Sequence, residues 1–247
     1  MDLQLSGKRA LVTGAGRGIG KAVAVRLAQE GARVALLARS REDLEAVAAE
    51  LPGESLVVPA DTTDDAAVRA AVAAVVQAWG GVDVLVNAAA RPASTAPVPA
   101  LADLPDDALR DEVETKVLGY LRTARAAAPH MVAQGWGRIV NVSGLNARAT
   151  GNLVGTVRNV AVAAMTANLA EELGPSGVNV TVVHPGRTVT ERTPADVAAA
   201  PAATRIGRLV TAAEVADVVA FLCSPRSVAI TGDAVAVGGG TPGVAVY

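Results

Sequence analysis

The chain has 247 residues, 51% of them hydrophobic and only 2% aromatic, with a formal net charge of −2. That length buries a large core in one α/β domain, built from Ala, Val, Leu and Ile rather than from rings. Scattered basic residues give no nucleic-acid footprint, the single Cys223 excludes an internal disulfide, and no apolar run predicts a membrane span.

The elements alternate along the chain. "RALVTGAG" predicts a strand that runs into glycines, with no signal peptide before it. "GKAVAVRLAQEG" has helical spacing and closes on glycine. "RVALLAR" predicts a second strand. "SREDLEAVAAEL" predicts a helix opening on Ser40, with acids in its first turn. "SLVVPAD" is a third strand, "DDAAVRAAVAAVVQAWG" a helix and "VDVLVNAAA" a fourth strand. "LPDDALRDEVETKVLGYLRTARAAAPHMVAQG" predicts a long helical stretch, and "GRIVNVSG" a fifth strand. A helix through "VAVAAMTANLAEELG", a sixth strand "VNVTVVHPG", a helix "TAAEVADVVAFLCS" and a last strand "AVAVGGG" complete the series. "RPASTAPVPALADLP" and "TPADVAAAPAATRIG" read as loops at the carboxyl edge. The pattern predicts an α/β fold: a Rossmann-type doubly wound parallel sheet of about seven strands, helices on both faces, one domain over 1–247. A cytoplasmic protein is expected. Cys223 reads as a small buried hydrophobe on a helix.

"VTGAGRGIG" sets Gly14, Gly16, Gly18 and Gly20 between a strand and a helix, with Arg17 and Ile19 among them. Glycine permits the sharp turn and the close approach of a pyrophosphate, and the next helix aims its unpaired N–H groups at the phosphates. This context predicts a dinucleotide site. An NAD site would usually place Asp or Glu at the end of the second strand. Here stand Ala38, Arg39 and Ser40. Arg39 and Arg17 fit a 2′-phosphate better than a diol, so NADP(H) is preferred over NAD(H). The alternative reading of Arg39 is a solvated surface arginine.

"TGAGRGIG" (13–20), "ADTTD" (60–64), "DVLVNAAA" (83–90), "GRIVNVSG" (137–144), "AMTANLAEEL" (164–173), "VNVTVVHPG" (178–186) and the segments 206–240 together resemble the short-chain dehydrogenase/reductase family over nearly the whole chain. The resemblance implies that Asp61, with Thr62 beside it, meets the adenine. It implies that Asn87, Ala88 and Ala89 pass under the adenosine ribose. Pro185 and Gly186 would border the nicotinamide, with Thr188 and Thr190 on the segment beyond. The family usually reads Asn-Asn-Ala-Gly where this chain has Asn87-Ala88-Ala89-Ala90.

Catalysis in the family uses Asn, Ser, Tyr and Lys, because hydride transfer to a carbonyl makes an alkoxide that needs a tuned proton donor. By resemblance Lys116 replaces the Asn. The usual Ser-Ser is Ser143-Gly144. The Tyr position is Gly155 and the Lys position is Asn159. The only tyrosines are Tyr120 and Tyr247 and the only lysines are Lys8, Lys21 and Lys116, so no Tyr-x-x-x-Lys exists in any register.

Three readings follow. In the first, an atypical enzyme acts on a small carbonyl compound. Its candidate catalytic groups are Ser143, Lys116, Asn159 and His184. Lys116 would polarise a carbonyl from one face with Tyr120, and His184 would serve as a general acid or as a structural histidine. In the second, the chain is an inactive subunit beside an active homologue in a mixed oligomer. In the third, it is a non-redox enzyme or an NADP(H)-sensing scaffold. A homodimer or homotetramer is expected, Tyr247 is a candidate interface residue, and no metal site is expected from one Cys and two distant His.

Overall fold

The computed structural model describes residues 1–91 and 98–241. The remainder of the 91–105 loop and the tail with Tyr247 lie outside the described residues.

The first half alternates strand and helix: β1 (Arg9–Thr13), α1 (Gly18–Gln29), β2 (Arg33–Leu37), α2 (Arg41–Glu50), β3 (Ser55–Val57), α3 (Asp65–Trp79) and β4 (Val84–Asn87). The second half holds α4 (Asp106–Glu112), a π-helical turn (Val113–Leu118), α5 (Gly119–Gln134), β5 (Gly137–Val142), α6 (Leu153–Leu173) and β6 (Val178–Pro185). It ends with β7 (Thr188–Val189), α7 (Ala195–Ala199), β8 (Val210–Thr211), α8 (Ala212–Cys223) and β9 (Ala234–Val237). Seven strands form one parallel sheet in the order β3-β2-β1-β4-β5-β6-β9. The order reverses between β1 and β4, which is the crevice where such sheets bind ligands.

Alternation along the strands sorts the core into two layers. Val12, Leu36 and Val86 face Val23 and Leu27 of α1 and Val215 and Val219 of α8. Leu11, Leu37 and Leu85 face Val72 and Val75 of α3 and Met131 of α5. Each such buried side chain contributes about 1.5–3 kcal/mol. Cys223 is buried, as expected for a small hydrophobe.

The helix starts follow from local chemistry. Ser40 accepts from the Asp43 amide, Asp64 from the amides of Ala66 and Ala67, and Asn152 from the Gly155 amide. Thr211 and Glu214 form a capping box on α8. Helix α1 has neither a side-chain cap from Arg17 nor an acid in its first turn.

Three features depart from the sequence reading. The long helical stretch is continuous over 106–134, but a π turn interrupts its regular hydrogen bonding at Val113–Leu118. The 187–205 segment carries α7, and its strand β7 pairs with β8 in a separate two-stranded sheet. The apolar segment Leu153–Ser176 has the length and composition of a membrane span. It is nevertheless a layer of this fold: Val162, Thr166, Ala170 and Leu173 of α6 are buried beneath it.

Candidate dinucleotide site and the altered catalytic centre

The glycine turn is shaped as the chemistry requires. Gly14 and Gly18 have positive φ values of 66° and 57°. A Cβ on Gly14 would stand 2.8 Å from the Ala88 carbonyl oxygen, and one on Gly20 would stand 2.2 Å from that of Gly14. Ile19 packs against the α1/α8 core layer, and Arg17 is exposed. The first amide of α1 already has an anionic partner: Gly18 donates to Glu191 Oε1 at 2.9 Å. A carboxylate thus stands in at the helix end where a pyrophosphate would sit, so the residues present fit a dinucleotide phosphate.

Around this turn the other expected residues gather. Arg39 reaches over the edge of β2 toward Asp61, with 3.9 Å between Nη1 and Oδ2. Asp61 also accepts from the Thr63 amide and hydroxyl through Oδ1. Ser40 is committed to capping α2, and Asp43 in that cap leans on Gly16, whose added Cβ would meet the Asp43 Cβ at 3.1 Å. Thr62 is buried, and its hydroxyl oxygen lies 3.0 Å from where a Cβ on Gly119 would stand, so its side chain serves packing.

The end of β4 is held by two devices. The Thr13 hydroxyl accepts from the amides of Ala88 and Ala89 at 3.0 and 3.1 Å. The Asn87 side chain is fully buried in a polar ladder. Thr123 donates to Asn87 Oδ1, Asn87 Nδ2 to Asn141 Oδ1, Asn141 Nδ2 to the Thr166 hydroxyl, and Thr166 to the Val162 carbonyl. Asn87 therefore stitches β4 to β5 through its amide and offers only backbone to a ligand.

On the far side of the crevice, Pro185 ends β6 and Gly186 lies against Gly238. Leu145 Cδ1 would stand 3.2 Å from a Cβ on Gly186. Thr188 donates to the Gly186 carbonyl, while Thr190 is tied into a turn with Arg192 and Thr193.

At the altered centre, Lys116 reaches from the π turn into the space between β5 and α6. Its Nζ donates to the Ser143 carbonyl at 2.9 Å and to Asn159 Oδ1 at 3.3 Å. The Ser143 hydroxyl donates to the Asn159 carbonyl. Ser143, Lys116 and Asn159 are thus brought together. Burial, with help from Arg158, lowers the Lys116 ammonium to about 7, while Glu112 opposes the shift. Arg158 pairs with Glu112 at 2.5 Å. Tyr120, one turn along, donates to the Val142 carbonyl and burial raises its pKa, which removes it as a proton donor.

His184 is also buried, and its Nδ1 has no partner among the described residues. Burial first, then Arg148 and Lys116, lower it to about 4, so the ring is neutral at physiological pH. A neutral imidazole with that pKa is a hydrogen-bonding group, which fits the structural role, of the two read from the sequence, rather than the general acid.

Glu191, Glu112 and Thr13 were not legible as site residues, whereas Asn146 was read among the polar groups around the pocket. Glu191 meets Gly18 across 173 residues of sequence, and no local pattern announces such a contact. A threonine closing β1 could have been noticed, because a hydroxyl at a strand end commonly ties the neighbouring loop.

This arrangement defines a doubly wound α/β protein whose glycine turn fits a dinucleotide phosphate. The chain belongs to the short-chain dehydrogenase/reductase family: the short chain dehydrogenase family model matches residues 8–200. It is 36% identical to the short-chain reductase protein NovJ of Streptomyces niveus, over 94% of this chain and 93% of that one. It is similar to L-sorbose reductase from Gluconobacter frateurii, solved in complex with NADPH and L-sorbose. The TM-score is 0.88 at 28% identity, covering 99% of this chain and 100% of that one. A 3-oxoacyl-[acyl-carrier protein] reductase from Brucella melitensis with bound NAD matches with TM-score 0.87 at 30% identity, over 97% of this chain and 94% of its own. Relatives of the same fold thus hold either nicotinamide cofactor.

Proposed function

We propose that this chain binds NADP(H) in the β1/β4 crevice and does not by itself carry out Tyr/Lys-driven carbonyl reduction. It acts in the cytoplasm as the supporting subunit of a mixed oligomer with a Tyr-bearing homologue. The observation that carries this reading is the filling of the space above Gly155. A Cβ there would lie 2.8 Å from Asn146 Nδ2 and 3.0 Å from Asn152 Oδ1. Two amide side chains thus crowd the Cβ position of residue 155, at the start of any larger side chain there. Next to them, Leu153, Val157 and Val160 of α6 remain exposed at helical spacing, an apolar stripe that supports a subunit contact.

The test is a three-part comparison of the isolated chain, a Tyr-bearing homologue and their mixture. NADPH should bind the isolated chain more tightly than NADH in calorimetry, and small ketones should not drive its oxidation. Native mass measurement should find mixed oligomers. Homogeneous oligomers only, after co-expression, would reject the supporting role.

One observation favours a second reading. Lys116, held to about 7, could act as acid toward a small carbonyl compound in an atypical reductase. Carbonyl-dependent NADPH oxidation by the isolated chain, lost in Lys116→Met, would establish it.

A further inference from the structure

The carboxyl ends of β5 and β6, with α6, face one buried ammonium. Lys116 is 4% exposed and donates to two acceptors, the Ser143 carbonyl and Asn159 Oδ1. An ammonium carries three N–H donors. The third therefore lacks an acceptor among the described residues, and a desolvated donor left so is costly until something supplies an oxygen. The neighbouring polar groups are already engaged with one another. The Ser143 hydroxyl is on Asn159, Tyr120 is on Val142, Arg158 is on Glu112, and Arg148 is on the Ala234 carbonyl. His184 adds a buried Nδ1 that has no partner among the described residues.

We propose that Lys116 is the docking cation for the half of a dinucleotide that lies beyond the glycine turn, its third N–H donating to a ligand oxygen, and that binding there takes up a proton. This rests on the dinucleotide reading above. Strand order sets Arg39, after β2, and Lys116, beside β5, on opposite sides of the β1/β4 crevice. A nucleotide laid across that crevice with its adenosine at Arg39 carries its other half toward Lys116.

The proton follows from the burial. The free ammonium sits near 7. A ligand oxygen accepting from it favours the charged form and raises that value. Affinity is then greatest below the free value and declines as pH rises through the bound one. The charged and titratable groups facing Lys116 are Arg158 from α6, Glu112 from α4 and His184 from β6, with Arg148 behind His184. Guanidinium and carboxylate groups keep their charge between pH 7 and 9, and His184, at about 4, is neutral throughout.

The experiment is calorimetric titration of the intact chain at pH 6.5, 7.5 and 8.5 in pairs of buffers with different ionisation heats. NADPH is compared with 2′,5′-ADP, which carries the titrating 2′-phosphate but not the second half. NADPH should take up a larger fraction of a proton than 2′,5′-ADP and should weaken by roughly tenfold across that range. Lys116→Met should lose the extra uptake and bind NADPH roughly tenfold more weakly. Lys116→Arg, if it folds, should bind without uptake. Should both variants misfold, the wild-type difference between the two ligands decides. Equal proton uptake by NADPH and 2′,5′-ADP overturns the proposal alone. Absence of NADPH binding at every pH overturns the dinucleotide reading and this proposal with it.

Discussion

The amide of Asn146 occupies the room that any side chain at residue 155 would need: its Nδ2 lies 2.8 Å from the position of a Cβ on Gly155. Asn152 closes the same space at 3.0 Å while capping α6 through the Gly155 amide. A side chain at residue 155 therefore requires the Asn146 and Asn152 side chains to shift. Gly155→Tyr with Asn159→Lys should leave ketone-dependent NADPH oxidation undetected. Displacing the Asn152 cap should also cost about 1 kcal/mol. Adding Asn146→Ala should relieve part of that loss. Urea denaturation of the double and triple variants, with an NADPH oxidation assay on each, checks both statements. Ketone reduction by the double variant would show that the pocket accepts a tyrosine without repacking.

Glu191 and the pyrophosphate want the same helix end. The Gly18 amide donates to the Glu191 carboxylate at 2.9 Å, and α1 has no acid of its own in its first turn. A charge at a helix N-terminus is worth about 0.3–1 kcal/mol when exposed. Glu191→Gln should therefore tighten NADPH binding by about twofold to fivefold while slightly lowering the stability of the free chain. Fluorescence titration and thermal unfolding read the two effects. Equal affinity in the variant would mean that Glu191 leaves the site without competing.

The sheet and the glycine turn were legible because they rest on local rules. Period-two strands, glycines where Gly14 and Gly18 need positive φ, and caps at Ser40 and Thr211 all appear within a few residues of sequence. The absence of any Tyr-x-x-x-Lys was legible, since a census of Tyr and Lys needs no structure. What replaced it was not. Lys116 was readable as a candidate, but its reach to Ser143 and Asn159 depends on a π turn that no spacing rule predicts. His184 was read as a possible acid because its burial, and the two cations behind it, are tertiary facts. Asn87 was read at the cofactor crevice, but its side-chain partners Thr123 and Asn141, which come from other elements, were not legible.

Lys116 also imposes a pH dependence on folding. Its pKa is about 7 in the folded chain against an ordinary 10.5, with burial as the main cause. Between those values the unfolded chain binds the extra proton, so this residue's contribution to stability rises with pH. Below about 7 both states are protonated and the penalty is present in full. Relative to Lys116→Met, the wild type should gain stability at up to about 1.4 kcal/mol per pH unit through this window. Urea denaturation of both proteins at pH 6.5, 8 and 9.5 measures the difference. Parallel stability curves would place the ammonium in contact with water.

In the proposed NADP(H) reading, cofactor choice turns on Arg39. Its side chain is 74% exposed, and its one ionic partner among the described residues is Asp61 at 3.9 Å, an arrangement that costs little to break. The guanidinium is therefore free to turn toward a 2′-phosphate and form charge-assisted hydrogen bonds, each worth about 1.5–3 kcal/mol. Arg39→Ala should weaken NADPH binding by roughly tenfold or more and leave NADH within a few-fold of its starting value, because NADH has no phosphate there to lose. Arg39→Asp should reverse the preference by offering a carboxylate to the ribose hydroxyls. The Asp43 carboxylate, close to Gly16 in the first turn of α2, opposes a phosphate at the same corner. Asp43→Asn should accordingly tighten NADPH and not NADH. Paired titrations of the three variants with both nucleotides test the assignment, and equal losses of NADPH and NADH affinity in Arg39→Ala would reject it.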